Sequence, residues 1–245
     1  MDFKEAKELF RDKIDTSLYV PLSQKTEIDL TYGIYEKEKM ILIFGEAGNG
    51  KSFLMRRIYE NLKSKDNDFE IYFISNPFEE KTALDEIFLL ETDNHRIVFI
   101  DEAQILSEEK IERLRMLADN QSYTIILATH ETEAKKLFAK KHFKTRINYF
   151  VNLQPLKLDK IGVFVNSKLV QNNAHNIASL FKKSNYKLIY KLTKGNLRDI
   201  NRLMYKTFDI IDYFHNKYPN KVSSDKIDNK YIEMAYMDLK GMLNA

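Results

Sequence analysis

Five apolar residues, Met40-Ile41-Leu42-Ile43-Phe44, run straight into Gly45-Glu46-Ala47-Gly48-Asn49-Gly50-Lys51-Ser52, after which apolar positions recur at Leu54, Ile58 and Leu62. The first run reads as a buried strand and the last as an amphipathic helix over 51–64, so a glycine-rich octet joins strand to helix. Its spacing is G-x-x-x-x-G-K-S/T. Glycines let successive backbone N–H groups turn toward one point, and the helix start adds its partial positive charge; together they cradle phosphate oxygens. On this reading Gly45, Glu46, Ala47, Gly48, Asn49, Gly50, Lys51, Ser52 and Phe53 surround the phosphates of a nucleotide. Lys51 reaches the β- and γ-phosphates, and the Ser52 hydroxyl ligates Mg²⁺.

Four further runs rich in β-branched and aromatic residues follow, at 70–74, 97–101, 124–129 and 148–153, each separated from the last by a helical pattern. The helix near Leu106–Leu117 takes Ser107 as its cap, with Glu108 and Glu109 in the first turn where carboxylates suit the helix dipole. Strands alternating with helices predict a parallel three-layer α/β sheet. Past Pro155 the pattern is helical only, at about 158–170, 177–182, 186–192, 197–214 and 227–239. The expected division is therefore an α/β nucleotide-binding domain over 1–154 and a helical domain over 155–245.

The third strand, Arg96-Ile97-Val98-Phe99-Ile100, delivers Asp101-Glu102 to the carboxyl edge of the sheet, the edge on which the phosphate loop sits. Asp101 is expected in the Mg²⁺ shell, and Glu102 is expected to orient and polarise the attacking water. The fourth strand ends in Thr129-His130, one of which hydrogen-bonds the γ-phosphate or the water. In the cationic segment 135–146, Arg146 stands out because a guanidinium on the developing charge favours phosphoryl transfer, often from a neighbouring subunit. Arg198 opens a long helix of the C-terminal part. No Asn/Thr-Lys-x-Asp motif for guanine follows the strands, so the nucleotide is read as ATP.

Composition narrows the setting. No uncharged apolar stretch approaches the roughly 18–20 residues of a membrane span, the first residues lack the apolar core of a signal peptide, and there is no Cys, which removes thiol chemistry and fits a reducing, cytoplasmic compartment. Charge is uneven: residues 154–245 hold 16 Lys+Arg against 8 Asp+Glu, a net of +8. Such a segment faces nucleic acid or an acidic partner, or reflects a Lys-, Asn- and Ile-rich bias of the whole chain.

Taken together, the phosphate loop, Phe99-Ile100-Asp101-Glu102-Ala103-Gln104-Ile105-Leu106-Ser107, Leu114-Arg115-Met116-Leu117, Arg146-Ile147 with Leu153-Gln154-Pro155-Leu156, and Gly195-Asn196-Leu197-Arg198-Asp199-Ile200-Asn201-Arg202-Leu203 resemble the AAA+ superfamily, and within it the ExeA-type ATPases of general secretion (general secretion pathway protein A), over about residues 15–215. The resemblance implies sheet order 5-1-4-3-2, a helical lid from about residue 155, Arg146 as an arginine finger acting in trans, Arg198 as a second sensor, and Tyr19 and Val20, within Leu18-Tyr19-Val20-Pro21, near the adenine. It also implies self-association as a ring or other oligomer. Ala128-Thr129-His130 departs from the Gly-Gln usual in the secretion proteins, and those proteins continue into a membrane span and a wall-binding domain, so this chain reads as the motor module alone.

Three functions are compatible with these residues. The leading one is an Mg²⁺-dependent ATPase driving a secretion, type IV pilus or DNA-uptake apparatus through a membrane-bound partner, placed in the cytoplasm or at the inner membrane through that partner. The alternative is a DNA-dependent ATPase resembling transposition helpers or origin-recognition proteins, with nucleic acid on the basic lid. A third is a nucleotide-gated scaffold with little turnover, against which Lys51, Asp101, Glu102 and Arg146 argue.

Overall fold

The structure, a computed structural model, describes residues 2–13, 24–65, 68–79, 81–87, 89, 94–120, 122–139, 141 and 145–243. The chain divides into two compact units, Leu22–Gln154 and Met1–Pro21 together with Pro155–Ala245.

In the first unit five parallel strands, β1 Met40–Phe44, β2 Phe69–Ile74, β3 His95–Ile100, β4 Tyr123–Thr129 and β5 Ile147–Asn152, form one sheet in the order β2-β3-β4-β1-β5. This is the 5-1-4-3-2 order that the resemblance implies. The strands β1, β3 and β4 are buried throughout, which is why they appear in the sequence as unbroken apolar runs rather than alternations. Both edge strands are half-buried.

Alternation of side chains along each strand separates two cores. On one face Leu42, Val98, Ile100, Ile125 and Leu127 meet Ile111, Leu114 and Ala118 of α5 (Glu108–Asp119), Leu84 and Ile87 of α4 (Lys81–Ile87) and Ala134 of α6 (Glu131–Ala139). On the other, Ile41, Ile43, Ile97, Phe99, Ile126 and Ala128 meet Leu54, Met55, Ile58 and Leu62 of α3 (Lys51–Lys63) and Leu30 and Ile34 of α2 (Gln24–Tyr35). The three-layer α/β class predicted from the alternation is the one found. Each fully buried large side chain here stabilises the unit by about 1.5–3 kcal/mol. Ser107 caps α5 as predicted, accepting from the Lys110 N–H at 3.3 Å.

The second unit is helical. The helix α1 (Phe3–Glu8) lies against the long amphipathic helix α10 (Leu197–Lys217): the Phe3 and Phe10 rings sit 6.2 and 5.6 Å from Phe208, and Lys7 pairs with Asp209 at 2.8 Å. The first residues, grouped with the sheet on sequence grounds, thus count with the helices, because their aromatic side chains find their apolar partners there. Around α10 stand α7 (Leu158–Gln171), α8 (His175–Ala178), α9 (Lys183–Thr193) and α11 (Asn229–Leu243). The helix expected over 177–182 is shorter and earlier. Asn185 accepts from the Lys182 N–H at 2.7 Å and Lys182 is extended, so the chain breaks there to start α9.

Candidate nucleotide site

The carboxyl ends of β1, β4 and β3 lie side by side, with Phe44 in register with Thr129 and Ile100 with Leu127. Everything that leaves those three ends meets at one edge of the sheet. From β1 the chain enters the loop at Gly45, whose φ of 151° and whose missing side chain are both required: a Cβ there would lie 2.4 Å from the Leu153 carbonyl oxygen. The loop is held against the end of β5. The Leu153 N–H donates to the Phe44 carbonyl at 2.7 Å, and the buried Asn49 side chain donates to the Leu153 carbonyl at 2.8 Å. Asn49, predicted among the phosphate-binding residues, thus spends its side chain on bracing the loop.

Lys51 is buried and donates from Nζ to the carbonyls of Gly45 (2.9 Å) and Glu46 (3.1 Å), so its ammonium lies inside the curl of the loop. Glu46 and Ala47 are exposed on the outside of that curl, and Ser52 and Phe53 are half-buried in the first turn of α3. Asp101 continues the ladder beyond β3 through its N–H to the Ile74 carbonyl at 2.9 Å. Its carboxylate is buried; burial pushes its pKa up from the usual carboxylate value, opposed by hydrogen bonds from the Ser52 hydroxyl and the Glu102 N–H. Strands β1 and β3 thereby bring the Ser52 hydroxyl and the Asp101 carboxylate into contact.

Glu102 occupies the left-handed region, φ 51° and ψ 38°, a conformation uncommon for a side chain with a Cβ and one that the sequence does not announce. Its half-exposed carboxylate accepts a hydrogen bond from the side-chain amide of Gln104 and has His130 Nε2 4.0 Å away. Since only the NH₂ of an amide donates to a carboxylate, the orientation of Gln104 is settled, and its buried oxygen is left without a partner among the described residues. The Thr129 hydroxyl is likewise buried and unpartnered among them. Gln104 carries no role in the sequence reading, although it stands two residues beyond Glu102 in the same turn.

Arg146 does not join this group within the chain. It precedes Ile147, which is in register with Met40 at the start of β1, so it lies at the sheet edge opposite the loop. There its Nε donates to both oxygens of Asp119, at 2.8 and 2.9 Å, and Arg115 and Lys39 reach the same carboxylate at 2.9 and 3.4 Å. The Arg146 guanidinium holds the Asp119 carboxyl below the usual range, and Asp119 raises Arg146 in return. Arg198 belongs to the helical unit, half-exposed, with Nε 3.9 Å from Asp12. Tyr19 and Val20 lie outside the described residues.

Ser52 Oγ and Asp101 form a hard oxygen set of the kind that suits Mg²⁺ completed by phosphate and water. Among the described residues no cluster of three or more His, Asp or Glu forms an all-protein metal cage. None of those residues forms a helix long and apolar enough to cross a membrane.

Among solved structures, the Aeropyrum pernix Orc1 protein in complex with DNA superimposes with a TM-score of 0.69 at 11% identity, over 95% of this chain and 69% of that one. The Thermotoga maritima RuvB Holliday junction branch migration motor gives 0.61 at 17% identity, over 92% and 74%, and domain III of the replication initiation protein DnaA from the same organism 0.60 at 16%, over 93% and 97%. At these identities the likeness establishes the fold, that of an AAA+ P-loop NTPase. No curated protein matches the sequence. The family described as Novel STAND NTPase 5 matches residues 20–142, a span that holds the phosphate loop, Asp101-Glu102 and Thr129-His130, and the chain belongs to that family.

Proposed function

We propose that the chain is an Mg²⁺-dependent ATPase. The observation that carries the reading is the convergence of Lys51, Ser52, Asp101 and Glu102 on one sheet edge, with Asp101 accepting from the Ser52 hydroxyl. In the proposed reaction the loop amides of 45–52 hold the phosphates, and the Lys51 ammonium neutralises the β- and γ-oxygens. Ser52 and Asp101 hold Mg²⁺, which when bound spreads the charge that develops on the phosphate oxygens. Glu102 accepts the proton of the attacking water. The Thr129 hydroxyl or His130 meets the γ-phosphate, Arg198 serves as a second sensor, and Arg146 acts on the site of a second copy, since its own strand places it at the far edge. The test is steady-state ATP turnover beside fluorescent-nucleotide binding. Lys51→Ala is expected to lose both; Glu102→Gln is expected to keep binding and lose turnover. Wild-type turnover in either variant sinks the assignment.

What turnover serves has two readings. The ExeA-type resemblance supports an envelope apparatus, for secretion, pilus assembly or DNA uptake, reached through a membrane-bound partner. The net charge of +8 over residues 154–245 supports a nucleic-acid partner, in keeping with the DNA in the Orc1 complex. Turnover per subunit, measured across protein concentrations with and without DNA, separates them: a rise with concentration that ignores DNA favours the first, and a rise that requires DNA favours the second.

A further inference from the structure

Helix α9 is held to its unit by one side. Asn185, Ile189 and Thr193 are buried, and Asn185 donates to the Ile227 carbonyl at 2.9 Å and to Asn229 Oδ1 at 2.8 Å. The opposite side carries Lys183, Lys187, Tyr190 and Lys191, with Lys194 at the C-terminal cap. Their spacing places them within an arc of about 100°. All four lysines are exposed, Tyr190 is half-buried, and the helix contains no Asp or Glu.

Some other lysines of the same unit are paired, among them Lys7 with Asp209, Lys206 with Asp238 and Lys226 with Asp228. None of the four on α9 makes an ion pair among the described residues. The arrangement works against the helix itself, because like charges four residues apart repel and Lys183 stands in the first turn, where the helix dipole disfavours a cation. A polyanion lying along this face removes both penalties.

We propose that the Lys183, Lys187, Lys191 and Lys194 face of α9 binds the phosphodiester backbone of nucleic acid, a proposal that rests on the second reading above. Four residues of helix rise about 6 Å, so the cations recur along a line. A polymer with a charge every ~3.4 Å per strand meets each of them, whereas a lone carboxylate meets one. Lysine engages phosphate as a point charge, which positions a duplex without reading bases, and the half-buried Tyr190 adds an aromatic surface at the margin of the cations. A membrane is the poorer fit, since this face has no Trp, Phe or Leu to enter the acyl boundary.

The test is fluorescence anisotropy of the full chain with a labelled DNA duplex of about three helical turns, between about 50 and 200 mM KCl. The comparison is the fourfold variant Lys183→Gln, Lys187→Gln, Lys191→Gln, Lys194→Gln, with its thermal unfolding checked against wild type. The expected result is a wild-type salt slope that falls by about 3 to 4 in the variant, and at least about tenfold weaker binding at low salt, with ATP turnover in the absence of DNA unchanged. A duplex that binds both proteins with the same slope overturns the proposal. So does a wild type that binds phosphatidylserine vesicles and leaves the duplex free. Because binding is read without ATP, binding that fails to stimulate turnover supports the surface and removes only the DNA-dependent reading of turnover.

Discussion

Gln104 donates its side-chain amide to the carboxylate of Glu102, from a short 3₁₀ turn that begins where Glu102 takes up its left-handed backbone. The bond fixes which way Glu102 faces and involves none of the residues proposed to hold the nucleotide. Gln104→Ala is therefore expected to lower kcat by about tenfold, the scale of one hydrogen bond to a charged group, with nucleotide affinity unchanged. Glu102→Gln is expected to lower it by about 10²–10⁴-fold. Single-turnover kinetics beside equilibrium nucleotide binding distinguish the two effects, and an equal loss of affinity in Gln104→Ala contradicts the assignment.

Arg146 is committed to Asp119 within its own chain, at the edge of the sheet away from the loop. Under the proposed role on another copy, its removal is expected to cost about 10³-fold or more in turnover and to abolish the rise of specific activity with protein concentration, while nucleotide binding persists. An Arg146→Ala protein whose turnover per subunit still rises with concentration refutes the role in trans.

The same ion pair sets a pH dependence. The Asp119 pKa is depressed in the folded chain, chiefly by the hydrogen bond from Arg146, so its contribution to stability is full above the ordinary carboxylate pKa of about 3.9 and is lost as the pH falls through the lower folded value. Urea midpoints of wild type and Asp119→Asn, followed from neutral to strongly acid pH, are expected to differ by a constant amount above about pH 5 and to converge in acid. A difference that grows on acidification reverses the sign and rules this account out.

Two backbone sites report on packing alone. At Gly195, φ is 83° and a Cβ would lie 2.0 Å from the Leu156 carbonyl oxygen, while the Leu156 N–H donates to the Gly195 carbonyl at 2.9 Å. Gly195→Ala is expected to destabilise the helical unit by about 2–3 kcal/mol, seen as a lower denaturation midpoint. Gly241 meets nothing within 4 Å of the same added atom, and Gly241→Ala is expected to be neutral or mildly stabilising as a helix former.

The sheet could be read from the chain because β1, β3 and β4 are buried on both faces and so spell themselves as apolar runs; their boundaries shift by only a residue or two. Lys51, Ser52, Asp101 and Glu102 were equally plain, since each sits at a fixed offset from a strand end. What local pattern does not carry is contact between distant segments. Nothing near Asn49 says that its amide crosses to Leu153, nothing near Phe3 says that it belongs beside Phe208, and the grip of Asp119 on Arg146 joins residues 27 positions apart. The left-handed Glu102 escaped for a different reason: the conformation is imposed by the turn that follows, against the preference of the residue.

Leu153 is fastened to the loop twice, through its N–H to Phe44 and through its carbonyl to Asn49, and two residues later the chain crosses at Pro155 into the other unit. Latch and strand end are thus the same piece of backbone. A loop that shifts therefore draws the end of β5 with it, so the outermost strand answers to the loop through two hydrogen bonds rather than through the interior of the sheet.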